Sequence, residues 1–281
     1  MSAVERVVSG DATIAARVDG APGKPWIVLS NSLAADMSMW DDQVPLLTKT
    51  HRVLRYDTRG HGESTAPEGP YSFPMLVADF VAVMDHFGIT RADIMGLSLG
   101  GMTALGVGLA HPERVERLVC CDARADSPPP FVESWDARIA GVRAGGMAAI
   151  LDGTLERWFT PACRAARPDV VERAAGMVLR TSPAGYIGCA EALKTLDYLR
   201  HLPQMRPEVL YIVGSEDGGA PPDAMRAMAE ATPKGRLVVI EGAAHIANME
   251  DPDAFNAVIA DWVAGKGRRA GMTGGHGAEH G

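Results

Sequence analysis

The stretch Ile94-Met-Gly-Leu-Ser-Leu-Gly-Gly101 decides the fold, because an apolar run ends there in Gly-x-Ser-x-Gly and passes directly into a helix-compatible segment, residues 102–110. A strand, a tight turn and a helix in this order hold the central serine in a strained backbone conformation. The strain requires small neighbours, which Gly96 and Gly100 supply. We expect the turn to expose the hydroxyl of Ser98. A glycine-rich turn with an incidental serine is the alternative, and other residues must decide between the two.

A serine hydroxyl becomes a strong nucleophile only beside a base, and a neutral imidazole base needs a carboxylate to orient it. Two later strand-like runs, residues 208–214 and 236–240, are each followed by a loop that carries a candidate, Asp217 in the first and His245 in the second. The carboxyl ends of the strands are where open α/β sheets place their ligand sites. Serine, acid, histidine is also the chain order that goes with a serine on this type of turn. We therefore predict that Ser98, Asp217 and His245 form a catalytic triad.

Both partners of the serine have rivals. Glu216 could replace Asp217, which is also a common turn residue before glycine, but Asp217 begins the Asp-x-x-x-Pro run that leads into the next helix. His61 is the main rival of His245, yet it precedes Ser98, which is the wrong chain order. The other histidines are assigned no chemistry: His51, His86 and His111, at the edges of helical segments, are interpreted as surface residues, His201 precedes a linker that contains proline, and His276 and His280 lie in the tail.

Two backbone amides are predicted to form an oxyanion hole. The first belongs to Leu99, which directly follows the serine at the start of a helix. The second amide is expected in the loop after the apolar run at residues 26–30. In proteins that carry a serine on this type of turn, that loop usually starts with His-Gly, and the next residue supplies the amide. Counting back from Trp40, residues 31–32 take the His-Gly positions, so the second donor is Leu33. An ordinary polar loop is the alternative at this place.

Strand-like and helix-like runs alternate along most of the chain, which predicts an α/β fold with a mostly parallel, doubly wound sheet. One helix is expected at residues 74–87 from its apolar period. The strand signal disappears between residues 124 and 207, where short helical stretches are separated by glycine and proline. We predict a core at residues 1–123 and 208–264, a helical lid at residues 124–207, and a disordered tail at residues 265–281.

The composition favours a cytoplasmic enzyme with a small-molecule substrate. The 281 residues, 47% of them apolar, can bury one large core. A formal net charge of −8 without a basic stripe argues against nucleic acid as a partner. With no long apolar span and no signal-peptide pattern, we expect no membrane partner. Four cysteines without a framework predict a reduced protein, and the lack of CxxC, HExxH and Walker patterns predicts neither a metal nor another cofactor.

With these residues identified, the chain resembles the 3-oxoadipate enol-lactonase branch of the α/β-hydrolases. Eight segments carry the resemblance: residues 29–33, 37–40, 54–62, 96–102 and 244–248, and in the lid residues 135–139, 142–147 and 156–161. The similarity extends from about residue 4 to about residue 263. It implies the α/β-hydrolase fold with an inserted lid, and a serine hydrolase that cleaves a lactone or carboxylic ester through an acyl-enzyme in aromatic catabolism.

Two features depart from this branch. After the strand-like residues 117–121, where a short neutral turn such as Asn-Thr is expected, the chain has Asp122-Ala-Arg-Ala-Asp126, followed by a serine and three prolines. This segment should border the mouth of the pocket, so its charges can alter which substrates enter. The helix after the serine also lacks bulky side chains at residues 103–109.

The lid offers candidate substrate contacts. Helical spacing places Trp135 and Arg138 on neighbouring turns, where one face could present an aromatic wall and a cation to a carboxylated substrate. In the alternative interpretation Trp135 and Ile139 pack within the lid while Arg138 faces solvent. Trp158 is open to the same two interpretations.

The predicted chemistry is acyl transfer. Ser98 attacks the carbonyl, His245 takes its proton, Asp217 orients the imidazole, and water later frees the enzyme. The predicted substrate is a small lactone or ester, carboxylated if the resemblance extends to specificity. A carboxylesterase on small linear esters is the alternative among enzymes, and a hydrolase-fold sensor or binding protein with slow turnover is the alternative of another class. The sequence does not predict the oligomeric state.

Overall fold

Eight strands form one sheet at the centre of the computed structural model, which describes residues 3–265. In chain order they are β1 Glu5–Ser9, β2 Ala12–Asp19, β3 Trp26–Ser30, β4 Arg52–Tyr56, β5 Ala92–Leu97, β6 Val115–Cys121, β7 Glu208–Gly214 and β8 Gly235–Ile240. Their order across the sheet is β1-β2-β4-β3-β5-β6-β7-β8. The pairs from β4 to β8 are parallel, and β2 pairs antiparallel with both β1 and β4. The predicted mostly parallel sheet is confirmed.

The helices lie between and after the strands. Within residues 3–265 they are α1 Val44–Leu47, α2 Phe73–His86 and α3 Leu99–Ala110 before β6; α4 Pro129–Gly145, α5 Leu151–Trp158, α6 Pro161–Ala166, α7 Pro168–Arg180 and α8 Pro183–Leu193 between β6 and β7; and α9 Pro222–Ala231, α10 Ala247–Glu250 and α11 Pro252–Val263 after β7. Short 3-10 helices occur at Met37–Trp40, Pro112–Arg114, Met147–Ile150 and Leu199–Gln204. In this part of the chain, no helix combines the length and the apolar character needed to cross a membrane.

The burial of the strands explains why the sheet could be read from the sequence. Every residue of β5 is buried, and so are all residues of β3 after Trp26. Central parallel strands are covered on both faces and therefore read as near-continuous apolar runs. The edge strand β1 is different, because Glu5, Arg6 and Val8 are exposed. The few buried apolar residues of β1 give too weak a pattern to indicate a strand, and the sequence does not predict this one.

Helix boundaries differ from expectation by a few residues. Helix α2 begins at Phe73, where the Ser72 side chain accepts a hydrogen bond from the Met75 amide and caps the first turn. Helix α3 begins directly after Ser98, three residues before the predicted start. Of the predicted disordered tail, only Gly265 is among the described residues, and the remainder lies outside them.

We keep the name lid for residues 124–207, which contain α4 to α8. Asp126 and Asp197 form an antiparallel bridge near its two ends. In its middle, α8 approaches the loop after β4 so closely that a Cβ atom on Gly60 would lie 2.2 Å from the Cα atom of Gly185. Both positions therefore require glycine. The lid therefore contacts the core through α8 as well as through the two places where the chain passes between lid and core.

Candidate active site

Ser98 lies on the tight turn between β5 and α3, with φ 55° and ψ −118°. This conformation is uncommon for a residue with a side chain, and its neighbours have no room for one. A Cβ atom on Gly96 would lie 2.1 Å from the carbonyl oxygen of Gly100, and one on Gly100 would lie 2.1 Å from that of Ser30. The Ser98 amide donates to the carbonyl of Cys121 on β6 over 2.8 Å. The turn is thus held by β3, β6 and α3 together.

The structure brings Ser98, His245 and Asp217 into one hydrogen-bonded row. His245 Nε2 lies 2.9 Å from Ser98 Oγ, and His245 Nδ1 lies 2.8 Å from Asp217 Oδ2. A carboxylate can only accept, so Nδ1 carries the proton and Nε2 is free to accept from the serine hydroxyl. Such a row is the arrangement in which an imidazole can take the proton of a nucleophilic serine.

Asp217 is held as a carboxylate by its surroundings. Its side chain is completely buried, and burial alone would disfavour the charged form. The interaction with His245 and the amides of Ala220 and Gly219, which both donate to Oδ1, outweigh burial and hold the pKa of Asp217 below its usual range. The acid therefore stays ionised and keeps the imidazole in one orientation.

The rivals of the triad residues lie elsewhere. Glu216 is exposed, and its amide donates to the carbonyl of Ala243. His61 is buried with Nδ1 against the Arg59 carbonyl at 3.1 Å, and burial lowers its pKa to about 4. Within residues 3–265 its Nε2 has no hydrogen-bond partner. Neither residue contacts Ser98.

The interpretation of His51 as a surface residue is wrong. Its side chain is buried, and Nε2 lies 3.1 Å from a carboxylate oxygen of Asp93 on β5. The same carboxylate also accepts from the guanidinium of Arg117 on β6. A partner 42 residues away in the chain gives no local signal, which is why the position of His51 in the sequence suggested a surface residue.

The two predicted oxyanion donors flank the serine. Leu99 is the first residue of α3, and amides in the first turn of a helix have no acceptor within it. Leu33 lies in the loop after β3 and lines the cavity above Ser98. That loop is held in place by Asn31, whose side chain donates to the Tyr56 carbonyl at the end of β4 and accepts from the indole of Trp40. The placement suits two donors, and their catalytic role stays a prediction.

A cavity of about 340 Å³ opens above Ser98 and His245. Its lid wall contains the three predicted substrate contacts, Trp135, Arg138 and Trp158. The lid adds Phe131, Thr154, Arg157, Tyr186 and Leu193, which were not singled out from the sequence, and the core adds Ser32, Leu33, Ala34, Met102 and residues 218–221. The side chains of Trp135 and Ile139 are buried, while Arg138 turns to the cavity.

Three arginines line this cavity, and two of them, Arg138 and Arg157, lie on the lid helices α4 and α5. Arg138 stacks on the Trp135 ring with its Cζ atom 4.2 Å from the ring centroid, and Arg157 donates to the Thr154 hydroxyl over 3.2 Å. Burial and then the charge of Arg157 lower the pKa of Arg138 to about 10, and burial also lowers that of Arg157. Neither forms an ion pair with a carboxylate among the described residues. An anion between them would relieve their repulsion.

Asp122, the first residue of the departing segment, sits where its charged form is disfavoured. It is fully buried and adopts φ 45° directly after β6. Its Oδ1 accepts from the Gly214 amide over 2.8 Å, whereas Oδ2 has no partner within residues 3–265. Burial and then the nearby Asp217 charge raise the pKa of Asp122 well above its ordinary value. Burial thus disfavours the charge that Asp122 would otherwise add where a neutral residue is expected.

The remainder of that segment borders the cavity as expected. Arg124, Pro128 and Pro130 line it. The Arg124 guanidinium is paired with Asp126 at 2.8 Å and lies over the Phe131 ring. Its charge is therefore balanced, unlike those of the two arginines of α4 and α5. Among the described residues, no group of three or more His, Cys, Asp or Glu side chains could hold a metal ion, and the four cysteines are buried and free.

Comparison with known proteins places this geometry in context. Residues 25–252 match the family described as alpha/beta hydrolase fold. The 3-oxoadipate enol-lactonase 2 of Acinetobacter baylyi is 34% identical over 85% of this chain and 89% of its own length, and enol-lactonase 1 of the same species is 30% identical over 89% and 93%. The crystal structure of the enol-lactonase from Burkholderia xenovorans LB400 is 38% identical, with a TM-score of 0.89 over 92% of this chain and all of that one.

Proposed function

We propose that this chain, which belongs to the α/β-hydrolase family, hydrolyses a carboxylated lactone of the kind opened by 3-oxoadipate enol-lactonases. The observation that carries the proposal is the row of hydrogen bonds through Ser98, His245 and Asp217, which lies beside a cavity with two unpaired guanidinium groups. The row supports acyl transfer, and the guanidinium groups support an anionic substrate. This activity would place the chain in aromatic catabolism.

The first half of the reaction forms an acyl-enzyme. Ser98 Oγ attacks the lactone carbonyl carbon while His245 Nε2 takes the hydroxyl proton, and the Asp217 carboxylate stabilises the imidazolium that results. The Leu33 and Leu99 amides donate to the oxyanion. The bond between the carbonyl carbon and the ring oxygen then breaks, and the imidazolium returns its proton to that oxygen. Because the substrate is cyclic, the released hydroxyl or enol stays attached to the acyl group.

The second half frees the enzyme with water. His245 Nε2 takes a proton from water, whose oxygen attacks the acyl carbon, and the same amides hold the second oxyanion. The bond to Ser98 Oγ breaks, and the serine recovers its proton from the imidazolium. The product carries one more carboxylate than the substrate, and the proton released on its ionisation passes to solvent.

The lid arginines favour a substrate that already carries a carboxylate. Arg138 and Arg157 lie on different lid helices, and neither forms an ion pair with a protein carboxylate among residues 3–265. A substrate carboxylate between them would form charge-assisted hydrogen bonds in a partly desolvated place. The rings of Trp135, Trp158 and Tyr186 add an apolar wall for the carbon skeleton.

The alternatives follow from the same site. A carboxylesterase on small linear esters would use the same triad, and the uncompensated pair Arg138 and Arg157 is the observation against it as the main activity. The slow-turnover sensor is not favoured, because the chain's relatives are hydrolases. The cytoplasmic location stays a prediction.

A three-substrate panel tests the proposal. We would measure kcat/KM for 3-oxoadipate enol-lactone, for a neutral lactone of the same ring size and for p-nitrophenyl acetate, and label the protein with a fluorophosphonate. We expect a single label on Ser98 and the highest kcat/KM for the carboxylated lactone. Higher values for both neutral substrates would refute the assigned specificity, and no labelling of the folded protein would refute the mechanism.

A further inference from the structure

The loop that carries His245 is tied to the lid on both sides of the histidine. Before it, the Ala244 amide donates to Oε2 of Glu250 over 2.6 Å. After it, the Ile246 amide donates to the carbonyl of Trp158, the last residue of α5, over 3.2 Å. The two residues that flank the base therefore hold it through bonds that do not involve its own ring.

Glu250 completes the connection with its second carboxylate oxygen. Oε1 accepts from the amide of Thr160 over 2.9 Å and from its hydroxyl over 2.6 Å. Thr160 lies between α5 and α6, two residues after Trp158, and also caps α6 through the Cys163 amide. One side chain, only 7% exposed, thus joins the base loop to the lid segment that carries Trp158.

The position of the carboxylate is itself fixed. Glu250 ends α10, the short helix that follows the base loop. Its own carbonyl accepts from the guanidinium of Arg167 on the lid over 2.7 Å. Because Trp158 lines the cavity, the same set of bonds determines where the base lies and where the pocket wall lies.

We propose that Glu250 is a positioning residue, which holds His245 at the distance from Ser98 that proton transfer needs and sets the Trp158 wall against it. The inference rests on the proposed function, because His245 is the base there. Among the described residues, the Glu250 side chain forms no hydrogen bond with a triad side chain, and it does not line the cavity. It acts through the backbone of the base loop.

The chemistry of the donors around Glu250 requires a carboxylate here. The amides of Ala244 and Thr160 can only donate, one to each carboxylate oxygen, so both oxygens must accept, and the Thr160 hydroxyl and the Cys163 thiol donate as well. In Glu250→Gln the amide nitrogen faces a donor at one end, and one of the two connections is lost with little change in volume. Glu191→Gln on α8 is the matched control, since within residues 3–265 Glu191 pairs with Lys194 alone and does not line the cavity.

The test compares Glu250→Gln, Glu191→Gln and the unchanged protein. The substrate is p-nitrophenyl acetate, and each rate is divided by the concentration of serine that a fluorophosphonate titrates. We expect kcat of Glu250→Gln to fall about 10- to 100-fold, which is the order of loss that a misplaced catalytic group causes. KM should change little.

A proton NMR measurement gives a readout that needs no substrate. The hydrogen-bonded Nδ1 proton of His245 should broaden or move upfield in Glu250→Gln and stay unchanged in Glu191→Gln. A normal kcat in Glu250→Gln would overturn the inference, as would a loss that disappears on division by titrated serine. If the unchanged protein hydrolyses nothing, the proposed function fails and the NMR comparison alone decides the positioning role.

Discussion

Arg138→Gln is the substitution that best separates a carboxylate-binding pocket from a general esterase pocket. Glutamine keeps part of the stacking on Trp135 and removes the charge. Removing one partner of a buried charge pair costs about 2 to 5 kcal/mol. We take about 2 kcal/mol, because Arg138 is only partly buried and Arg157 leaves a second cation in the cavity. At about 1.4 kcal/mol for each factor of ten, kcat/KM for the carboxylated lactone should fall about 30-fold.

The assay follows the lactone by its loss of absorbance and uses p-nitrophenyl acetate as the neutral reference. Arg143→Gln is the control, since it makes the same chemical change at an exposed position of α4. We expect Arg143→Gln to leave both substrates unaffected and Arg138→Gln to leave the neutral ester nearly unaffected. Equal losses on the two substrates in Arg138→Gln would refute the reasoning, because they would mean a disturbed fold or triad rather than a missing charge.

Three further predictions concern the triad and two buried titratable groups. Ser98→Ala should lower kcat by about 10⁴- to 10⁶-fold with an unchanged circular dichroism spectrum, and a loss under about tenfold would contradict the mechanism. Asp122→Asn should stabilise the protein, and the rise in Tm should be larger at pH 8 than at pH 5. Because the pKa of Asp122 is raised in the folded state, the native protein binds more protons than the unfolded chain, and the wild type loses stability as the pH rises. A gain independent of pH would argue against a protonated Asp122. For His61 the sign is opposite, because burial lowers its pKa to about 4 and the unfolded chain binds the extra proton. The free energy of unfolding should therefore decrease as the pH is lowered from about 6.5 to about 4. Urea unfolding of His61→Gln should show a smaller decrease over the same pH range.

The parts of the site that could be predicted are those with a local signature. The turn around Ser98 needs a fixed spacing of glycines, and the acid and the histidine each follow an apolar strand in a fixed chain order. Arg157 and Tyr186 have no such signature. They reach the cavity because α5 and α8 pack at particular angles, and apolar periodicity does not determine the angle between two lid helices.

Surroundings that come from remote parts of the chain are the hardest to predict. In the sequence Asp122 indicates an added charge, but its carboxyl is buried, and burial and then the nearby Asp217 charge raise its pKa well above the ordinary value. Likewise, His51 was placed on the surface because its partner Asp93 is remote in the chain. In both cases the deciding group is remote in the chain, Asp217 in the loop after β7 and Asp93 on β5, so the sequence around the residue could not reveal it.

The glycine contacts around Ser98 limit how this protein can be engineered or can evolve. A side chain at Gly96 would push β5 away from the helix that follows the nucleophile, and one at Gly100 would push that helix away from the end of β3 and its oxyanion loop. New specificity must therefore arise in the exchangeable part of the molecule, the helices between β6 and β7. A mutant library confined to the cavity-facing positions of α4, α5 and α8 should yield active variants with altered substrate preference, whereas one that includes residues 96 and 100 should consist mainly of inactive clones.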